Sequence, residues 1–265
     1  MGPFETTGAL PPNSFKRALA AGKPQIGLWL SLASPAATEI AAGAGFDWLL
    51  LDMEHAPNEL PDIAHHLRAA EGGTAEAVVR VPWNEPVMVK RLLDIGARSL
   101  LFPFVQSADE ARRAVAATRY PPDGIRGFAG NTRANRYGRV PDYARHAAAE
   151  ICVLVQCETR RAVAEIPLIA GIADIDGIFL GPADLAADMG HLADTQHPEV
   201  QAAILAAGKS IRAGGKAPGF LSLREDETRR VLEAGFTFVA VGTDVAILAR
   251  QTEALARRFK GENGG

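Results

Sequence analysis

Polar side chains able to do chemistry stand directly after four apolar runs of this sequence. The first run, LLLDMEHAP, passes from three leucines into Asp52, Glu54 and His55. The other three runs end in Arg80, in Gln156 and Glu158, and in Asp184 of GPAD. Alternation along a strand puts Gln156 and Glu158 on the same face. If the runs are parallel strands, their carboxyl ends meet at one edge of a sheet, and these side chains converge there. Carboxylates, a guanidinium and an imidazole in one place suit proton transfer and metal binding.

The charges of this group do not balance. Four carboxylates stand against one arginine and one histidine, and ionised groups in a low-dielectric site must be compensated. We therefore expect a divalent cation, with Glu158 and Asp184 as ligands and the remaining positions open to water and substrate. Carboxylate ligands favour Mg²⁺, Mn²⁺ or Co²⁺ over zinc. The sequence contains no H-E-x-x-H pattern, and neither cysteine fits a zinc cluster.

The positions of the lysines argue against covalent amine catalysis. An aldolase that forms a Schiff base requires a lysine at the catalytic edge. Lys16 and Lys23 precede the first strand, and Lys90 and Lys209 lie in predicted helices. Lys216 begins a strand at the opposite edge, and Lys260 falls in the C-terminal tail. Any carbanion chemistry would therefore need electrophilic assistance from a metal.

Strand and helix patterns alternate eight times along the chain. Apolar runs predict strands at residues 25–31, 47–52, 77–82, 99–104, 151–157, 176–181, 216–220 and 236–242. Apolar residues at helical spacing predict helices at residues 35–44, 59–71, 85–95, 107–118, 160–172, 198–213, 223–234 and 244–259. Nearly continuous apolar strands are typical of a parallel sheet covered by helices. Eight such units predict a (β/α)8 TIM barrel; an open doubly wound sheet is the alternative, although no G-x-G-x-x-G follows the first strand.

We expect a single domain over residues 1–265, with two segments outside the alternation. Residues 1–24 form an N-terminal extension and a first helix. Residues 120–149 form a long loop rich in arginine: Arg126, Arg133, Arg136, Arg139 and Arg145. A loop of this length covers the active site, packs on a second subunit or lies in solvent, and the sequence leaves these alternatives open.

Composition excludes several classes of function. Of the 265 residues 48% are hydrophobic and 22% charged, so the chain can bury a large core. The formal net charge of −3 provides no long-range attraction to nucleic acid or acidic membranes, and no apolar run is long enough to cross a membrane. Cys152 and Cys157 lie on opposite faces of one predicted strand and cannot pair. We expect a cytoplasmic protein that acts on small polar molecules.

Six motifs, taken in order, carry a family resemblance: DMEHAPN, VVRVPWNEP, LLFPFVQSADEA, YPPDGIRG, VLVQCET and DGIFLGPADLAADMG. From Gln25 onward the chain resembles the HpcH/HpaI aldolases, most closely those acting on hydroxy-oxo diacids and sugar acids. The resemblance implies a TIM barrel and metal-dependent, reversible cleavage of 4-hydroxy-2-oxo acids to pyruvate, or an analogue, and an aldehyde. It also implies a homo-oligomer, typically a hexamer with exchanged C-terminal helices.

The resemblance further implies roles for individual residues. The metal ligands fall on Glu158 and Asp184, the catalytic histidine on His55 with Asp52 as its partner, and the enolate-stabilising arginine on Arg80. Substrate contacts are expected from Gln156, Trp29, Leu221 and the backbone of Gly181, Pro182 and Ala183. Supporting roles are expected for Glu54, which orients the base, binds a water or pairs with the arginine, and for Asp94 from a neighbouring subunit.

Two other functions stay open on the sequence alone. A lyase acting on a CoA thioester, as in citrate-lyase-like relatives, would need an extended nucleotide-binding surface, for which we find no sequence feature. A metabolite-binding protein that has lost turnover would have no need of His55 beside a metal site. Cleavage of a malyl thioester would support the first alternative, and binding of pyruvate without proton exchange would support the second.

Overall fold

A closed barrel of eight parallel strands, paired in chain order, forms the centre of the protein. The computed structural model describes residues 10–260. The strands are β1 (Gln25–Leu30), β2 (Trp48–Asp52), β3 (Glu76–Arg80), β4 (Ser99–Phe102), β5 (Cys152–Cys157), β6 (Gly177–Leu180), β7 (Ala217–Leu221) and β8 (Phe238–Thr243). Each bound lies within two residues of its predicted position. The predicted TIM barrel is confirmed.

Helices surround the barrel within the described range. They are α1 (Ser14–Ala20), α2 (Pro35–Ala42), α3 (Leu60–Ala70), α4 (Pro86–Asp94), α5 (Ala108–Thr118), α6 (Tyr143–Glu150), α7 (Arg160–Ala170), α8 (Pro182–Asp188), α9 (Pro198–Ala213), α10 (Glu225–Glu233) and α11 (Asp244–Lys260). The predicted first helix is α1, and residues 1–9 and 261–265 of the predicted domain lie outside the described range. No helix among residues 10–260 has the length and apolar character needed to cross a membrane.

Two of these helices were missed in the sequence. The helix α6 and a 3-10 turn at Arg133–Asn135 lie inside the segment 120–149, so this segment is only partly loop. The short helix α8 begins at Pro182 directly after β6, with Gly181 as its N-cap and Asp184 in its first turn. Proline at the first position and an acidic first turn are recognisable start signals. These start signals follow directly on the predicted strand at residues 176–181, and the segment after that strand was not predicted as a helix.

Two hydrophobic clusters form the core, one inside the barrel and one between the barrel and the helices. Phe15 of α1 closes the amino end of the barrel, with its ring 5.8 Å from Trp48 and 6.0 Å from Phe238. Cys152 belongs to the inner cluster and Cys157 to the outer one, as alternation along β5 predicts. Because the amino end is filled by side chains, the carboxyl end is the open mouth of the barrel.

Close packing in the barrel interior generates a stability prediction. A methyl group added at Gly219 of β7 would lie 2.2 Å from the buried ring of Phe238. We therefore expect Gly219→Ala to lower the free energy of unfolding by roughly 1–3 kcal/mol. The matched control is Gly242→Ala in β8, where the nearest atom would be 3.6 Å away. Denaturant titration of both variants measures the effect, and equal stability of the two would contradict the packing argument.

Candidate active site at the mouth of the barrel

A buried ion pair joins the ends of β2 and β3. Asp52 and Arg80 are register partners on these strands. The guanidinium donates from Nε to Oδ1 at 2.9 Å and from Nη2 to Oδ2 at 2.6 Å. Burial raises the pKa of the Asp52 carboxyl, but the hydrogen bonds and charge of Arg80 outweigh burial and leave this pKa below its ordinary value. Asp52 is therefore a fixed carboxylate that orients Arg80.

Trp29 of β1 contacts both members of this ion pair. Its indole Nε1 donates to Oδ2 of Asp52 at 3.1 Å, and the guanidinium carbon of Arg80 lies 4.6 Å from the ring centroid. Only 4% of Trp29 is exposed. The ring supports Asp52 and Arg80, and the contact of Trp29 with a substrate stays a prediction.

The loop after β2 presents Glu54 and His55. The Asp52 carboxylate accepts the backbone N–H of Glu54 at 3.0 Å and that of His55 at 3.3 Å, so it holds the turn. The imidazole of His55 projects into solvent with 68% of the side chain exposed. Its Nε2 lies 4.0 Å from Oε1 of Glu54. The expected side-chain pairing of Asp52 with His55 is therefore not observed, because the Asp52 carboxylate is occupied by Arg80 and Trp29.

Glu54 lies between the arginine and the histidine. Its Oε2 is 2.8 Å from Nη1 of Arg80, although it accepts no hydrogen bond of good geometry among residues 10–260. Burial raises the pKa of Glu54, while Arg80 and His55 counteract this effect. The ion pair with Arg80 was one of the roles that the sequence left open for Glu54.

Glu158 follows β5 and is almost completely buried. Its Oε1 accepts the backbone N–H of Phe104 at 2.8 Å, and its Oε2 accepts the amide of Gln156 at 2.5 Å. This contact confirms that Gln156 and Glu158 share a face, as their spacing predicted. Burial, together with the charges of Asp184 and Glu54, raises the pKa of Glu158 to about 7, although these two hydrogen bonds oppose the shift.

Glu158 and Asp184 form the uncompensated part of the site. Asp184 is exposed in the first turn of α8, and its charge acts on both Glu158 and Glu54. Within the described residues no cationic side chain forms an ion pair with Glu158 or Asp184. Arg80 pairs with Asp52 and Glu54 instead. Oε1 of Gln156 is a buried oxygen to which no group in the described part of the chain donates a hydrogen bond. A divalent cation fits this set of oxygen atoms.

Two backbone features shape the position of Glu158. Strand β4 ends at Phe102 because Pro103 lacks an N–H, and Phe104 then adopts a left-handed φ of 52° that points its N–H at the carboxylate. A methyl group at Gly181 would lie 2.4 Å from Oε2 and 2.9 Å from Cβ of Glu158. Glycine is therefore required beside Glu158. Phe104 is not among the predicted site residues, and its only signal in the sequence is the proline before it.

The remaining substrate candidates divide into two groups. Leu221 is half-buried at the end of β7 and therefore lies at the mouth. At the start of α8, Pro182 has no N–H and that of Gly181 donates to the Cys157 carbonyl at 3.3 Å. Of the three backbone candidates only Ala183 therefore has an N–H in the free first turn of the helix.

Asp94 is not part of this site within one chain. It ends α4, the helix that returns the chain to the start of β4, so it lies toward the amino end of the barrel. There its Oδ1 accepts a hydrogen bond from Nη2 of Arg126 at 2.8 Å. Arg126, one of the loop arginines, is buried with its guanidinium 4.5 Å from the ring centroid of Tyr120.

A second group of potential metal ligands lies between α8 and α9. His191, His197 and Glu199 are close together, but the two imidazoles are stacked 3.5 Å apart at an angle of 14°. The lone pairs of a ring nitrogen lie in the ring plane, so stacked rings do not direct them to one ion. Glu199 already contacts His191 Nε2 at 3.1 Å, and its backbone N–H donates to His197 Nδ1. This arrangement is satisfied without a cation.

Comparisons with known proteins agree on one family. The sequence profile of the family described as HpcH/HpaI aldolase/citrate lyase matches residues 25–250. The 4-hydroxy-2-oxo-heptane-1,7-dioate aldolase of Klebsiella pneumoniae is 56% identical over 248 residues, which are 93% of this chain and 94% of that protein. Among solved structures, an HpcH/HpaI aldolase/citrate lyase family protein from Burkholderia cenocepacia is 45% identical with a TM-score of 0.89, covering 94% of this chain and 100% of that one. The citrate synthase SbnG is 26% identical with a TM-score of 0.83, covering 93% and 97%.

The raised pKa of Glu158 predicts that a divalent cation competes with a proton. Without a cation, the protonated carboxyl contributes stability that is complete below the ordinary glutamate pKa and is lost as pH rises through about 7. A cation requires the ionised carboxylate, so the apparent affinity for Mn²⁺ should fall by up to about tenfold per pH unit on the acidic side of this pKa. Calorimetric titration in buffers of different ionisation enthalpy counts the protons released. Absence of proton release on the acidic side would contradict the assignment of Glu158.

Proposed function

The chain belongs to the HpcH/HpaI aldolase/citrate lyase family, and from this premise we propose that it is an aldolase for 4-hydroxy-2-oxo acids. The reaction is reversible cleavage to pyruvate, or a close analogue, and an aldehyde. One observation carries the proposal: the guanidinium of Arg80, fixed by Asp52, shares the mouth with Glu158 and Asp184, which no cationic side chain balances among residues 10–260. The name of the Klebsiella pneumoniae relative suggests a dicarboxylic substrate.

Arg80 is the proposed stabiliser of negative charge on the keto oxygen. Two of its five N–H groups are used by Asp52, which leaves the second N–H of Nη2 and those of Nη1 on the side facing Glu54. Removal of a proton from the pyruvate methyl group develops charge on this oxygen. A preorganised cationic donor in a site with little water stabilises that charge without reorganisation.

His55 is the proposed base for the C4 hydroxyl group. Cleavage requires removal of this proton, and synthesis returns it to the alkoxide through the same imidazole. The exposed ring can reach a bound substrate at the mouth. Glu54, whose Oε1 is 4.0 Å from Nε2, is the carboxylate placed to orient the ring, while Asp52 acts on His55 through its backbone N–H.

Glu158 and Asp184 are the proposed ligands of a divalent cation, Mg²⁺, Mn²⁺ or Co²⁺, with Gln156 beside them. When bound, such an ion supplies Lewis-acid polarisation of the substrate's 2-oxo group. The N–H of Ala183 in the first turn of α8 is the proposed donor to the carboxylate of the substrate. Leu221 lines the mouth where the aldehyde portion would lie.

We also propose that the chain forms a homo-oligomer, a hexamer in the family pattern, through α11, and that it acts in the cytoplasm. Among the described residues of α11 only Asp244 is buried. Large apolar side chains of this helix are exposed: Val245, Ile247, Leu248, Leu255 and Phe259. An unpartnered apolar face of this kind suits a protein interface. Multi-angle light scattering of the purified protein measures the assembly, and a monomer at all concentrations would contradict the proposal.

Proton exchange of pyruvate tests the first half of the reaction. The methyl protons should exchange with D₂O when Mg²⁺ or Mn²⁺ is added to chelated protein, and should not exchange without a cation. Proton NMR of the methyl signal measures the rate. The citrate synthase SbnG has the same fold, and a fold alone does not establish a reaction. A negative result would therefore distinguish between the possible functions of this fold. Binding without exchange would support a binding protein, and cleavage of a malyl thioester would support a CoA-dependent lyase.

Loss of the His55 imidazole tests the assignment of the base. We expect His55→Ala to lower the turnover of 4-hydroxy-2-oxoheptanedioate by about 10²- to 10⁴-fold, because no other group replaces the proton acceptor. The matched control is His146→Ala, an exposed histidine of α6. A coupled assay for pyruvate measures both variants. Turnover within about tenfold of the wild type for His55→Ala would remove His55 from this role.

A further inference from the structure

We infer that His66 is a positioning residue of the active site, which acts through Asn58 on the loop that carries Glu54 and His55. His66 is 1% exposed on the inner face of α3. A line of hydrogen bonds runs from Thr38 of α2 through His66 and Asn58 to the end of β2. The inference rests on the proposed function for its kinetic test, but not for its structural tests.

Asn58 closes the loop after β2. Its Nδ2 donates to the backbone carbonyl of Asp52 at 2.7 Å, across six residues. At the other side, the carboxylate of Asp52 accepts the backbone N–H groups of Glu54 and His55. The turn is therefore held both by a side chain at its start and by a side chain at its end. Asn58 is 5% exposed, so water does not readily replace its amide.

The direction of these hydrogen bonds determines the form of His66. A carbonyl only accepts, so Nδ2 of Asn58 faces Asp52, and Oδ1 of Asn58 faces Nε2 of His66 at 3.0 Å. Because Oδ1 also only accepts, Nε2 must carry the hydrogen. Nδ1 then accepts from the Thr38 hydroxyl, 2.6 Å away. One neutral tautomer of His66 therefore satisfies its contacts with Thr38 and Asn58. The Thr38 hydroxyl has a single hydrogen, so its longer contact with the Ser34 carbonyl, at 3.5 Å, is then not a hydrogen bond.

Electrostatics support the neutral form. Burial lowers the pKa of His66; nearby Asp62 and Asp244 oppose this effect and His65 adds to it. The ordinary tautomer preference of a free imidazole is weak, so the tautomer here is set by Asn58 and Thr38. His66 therefore supplies a fixed donor to Asn58 at neutral pH.

Removal of the donor should loosen the loop rather than unfold the barrel. Leucine at position 66 keeps the apolar contacts of α3 but leaves Oδ1 of Asn58 buried and unpaired. Asn58 would then rotate away from the Asp52 carbonyl. Glu54 and His55 would lose one of the two restraints on their position, and small displacements of a catalytic group reduce turnover strongly.

The first test reads the tautomer directly. Magic-angle-spinning NMR of the whole protein labelled with ¹⁵N-histidine separates Nε2–H, Nδ1–H and doubly protonated imidazoles. The signal that disappears in His66→Gln belongs to His66. We expect a neutral ring protonated at Nε2 at neutral pH. A ring protonated at Nδ1, or on both nitrogens, would overturn the inference whatever reaction the protein catalyses.

The second test compares matched variants in hydrogen–deuterium exchange. His66→Leu should raise amide exchange in the peptide that contains residues 53–58, with the rest of the barrel unchanged. Glutamine at position 66 keeps an N–H donor, so His66→Gln should restore much of the protection. His65→Leu, the same change at the exposed neighbour on α3, is the control. Equal exchange in His66→Leu and the wild type would overturn the inference.

The third test is kinetic. With 4-hydroxy-2-oxoheptanedioate, His66→Leu should lower kcat by about tenfold to a hundredfold with little change in KM, because the loop positions the base rather than binding the substrate. His66→Gln should recover most of this loss, and His65→Leu should behave as the wild type. An unchanged kcat in a folded His66→Leu would refute the positioning role. An inactive wild type would instead count against the proposed function, and the first two tests would still decide the inference.

Discussion

The bidentate ion pair between Asp52 and Arg80 is the interaction on which the rest of the site depends. It joins the ends of the neighbouring strands β2 and β3, and Trp29 of β1 donates a hydrogen bond to its carboxylate. Removal of one partner of a buried pair leaves an uncompensated charge and typically costs about 3–5 kcal/mol. The same carboxylate also holds the turn that presents Glu54 and His55. One side chain thus orients the cationic donor and the candidate base.

This pair also divides the charges of the mouth into two parts. Arg80 balances Asp52 and contacts Glu54, whereas Glu158 is buried without a cationic partner in the described chain. Two backbone features keep Glu158 in that position, the N–H of Phe104 and the absence of a side chain at Gly181. A protein that only needed stability would not bury this carboxylate. The imbalance is what makes the site suited to a divalent cation.

The loop after β2 illustrates how a long chain of contacts supports a short catalytic segment. Hydrogen bonds connect Thr38 and His66 to Asn58, and Asn58 to the backbone of Asp52. These residues lie on two helices and a loop, yet all of them are buried at one place. Residues outside the mouth therefore contribute to its geometry, as is common for sites whose functional groups lie on loops.

Three features could be predicted from the sequence alone: the barrel, the edge at which the polar residues gather, and the shared face of Gln156 and Glu158. These follow from local periodicity, because continuous apolar runs specify buried parallel strands and alternation specifies faces. Tertiary structure decided which groups pair. The register of β2 with β3 pairs Asp52 with Arg80 rather than with His55, and the indole of Trp29 donates to the same carboxylate. It also placed α6 and the contact of Asp94 with Arg126. Pairing across strands depends on which remote segments become neighbours. The periodic pattern of one segment determines the face on which a side chain lies, but not the side chain that it meets on the next strand.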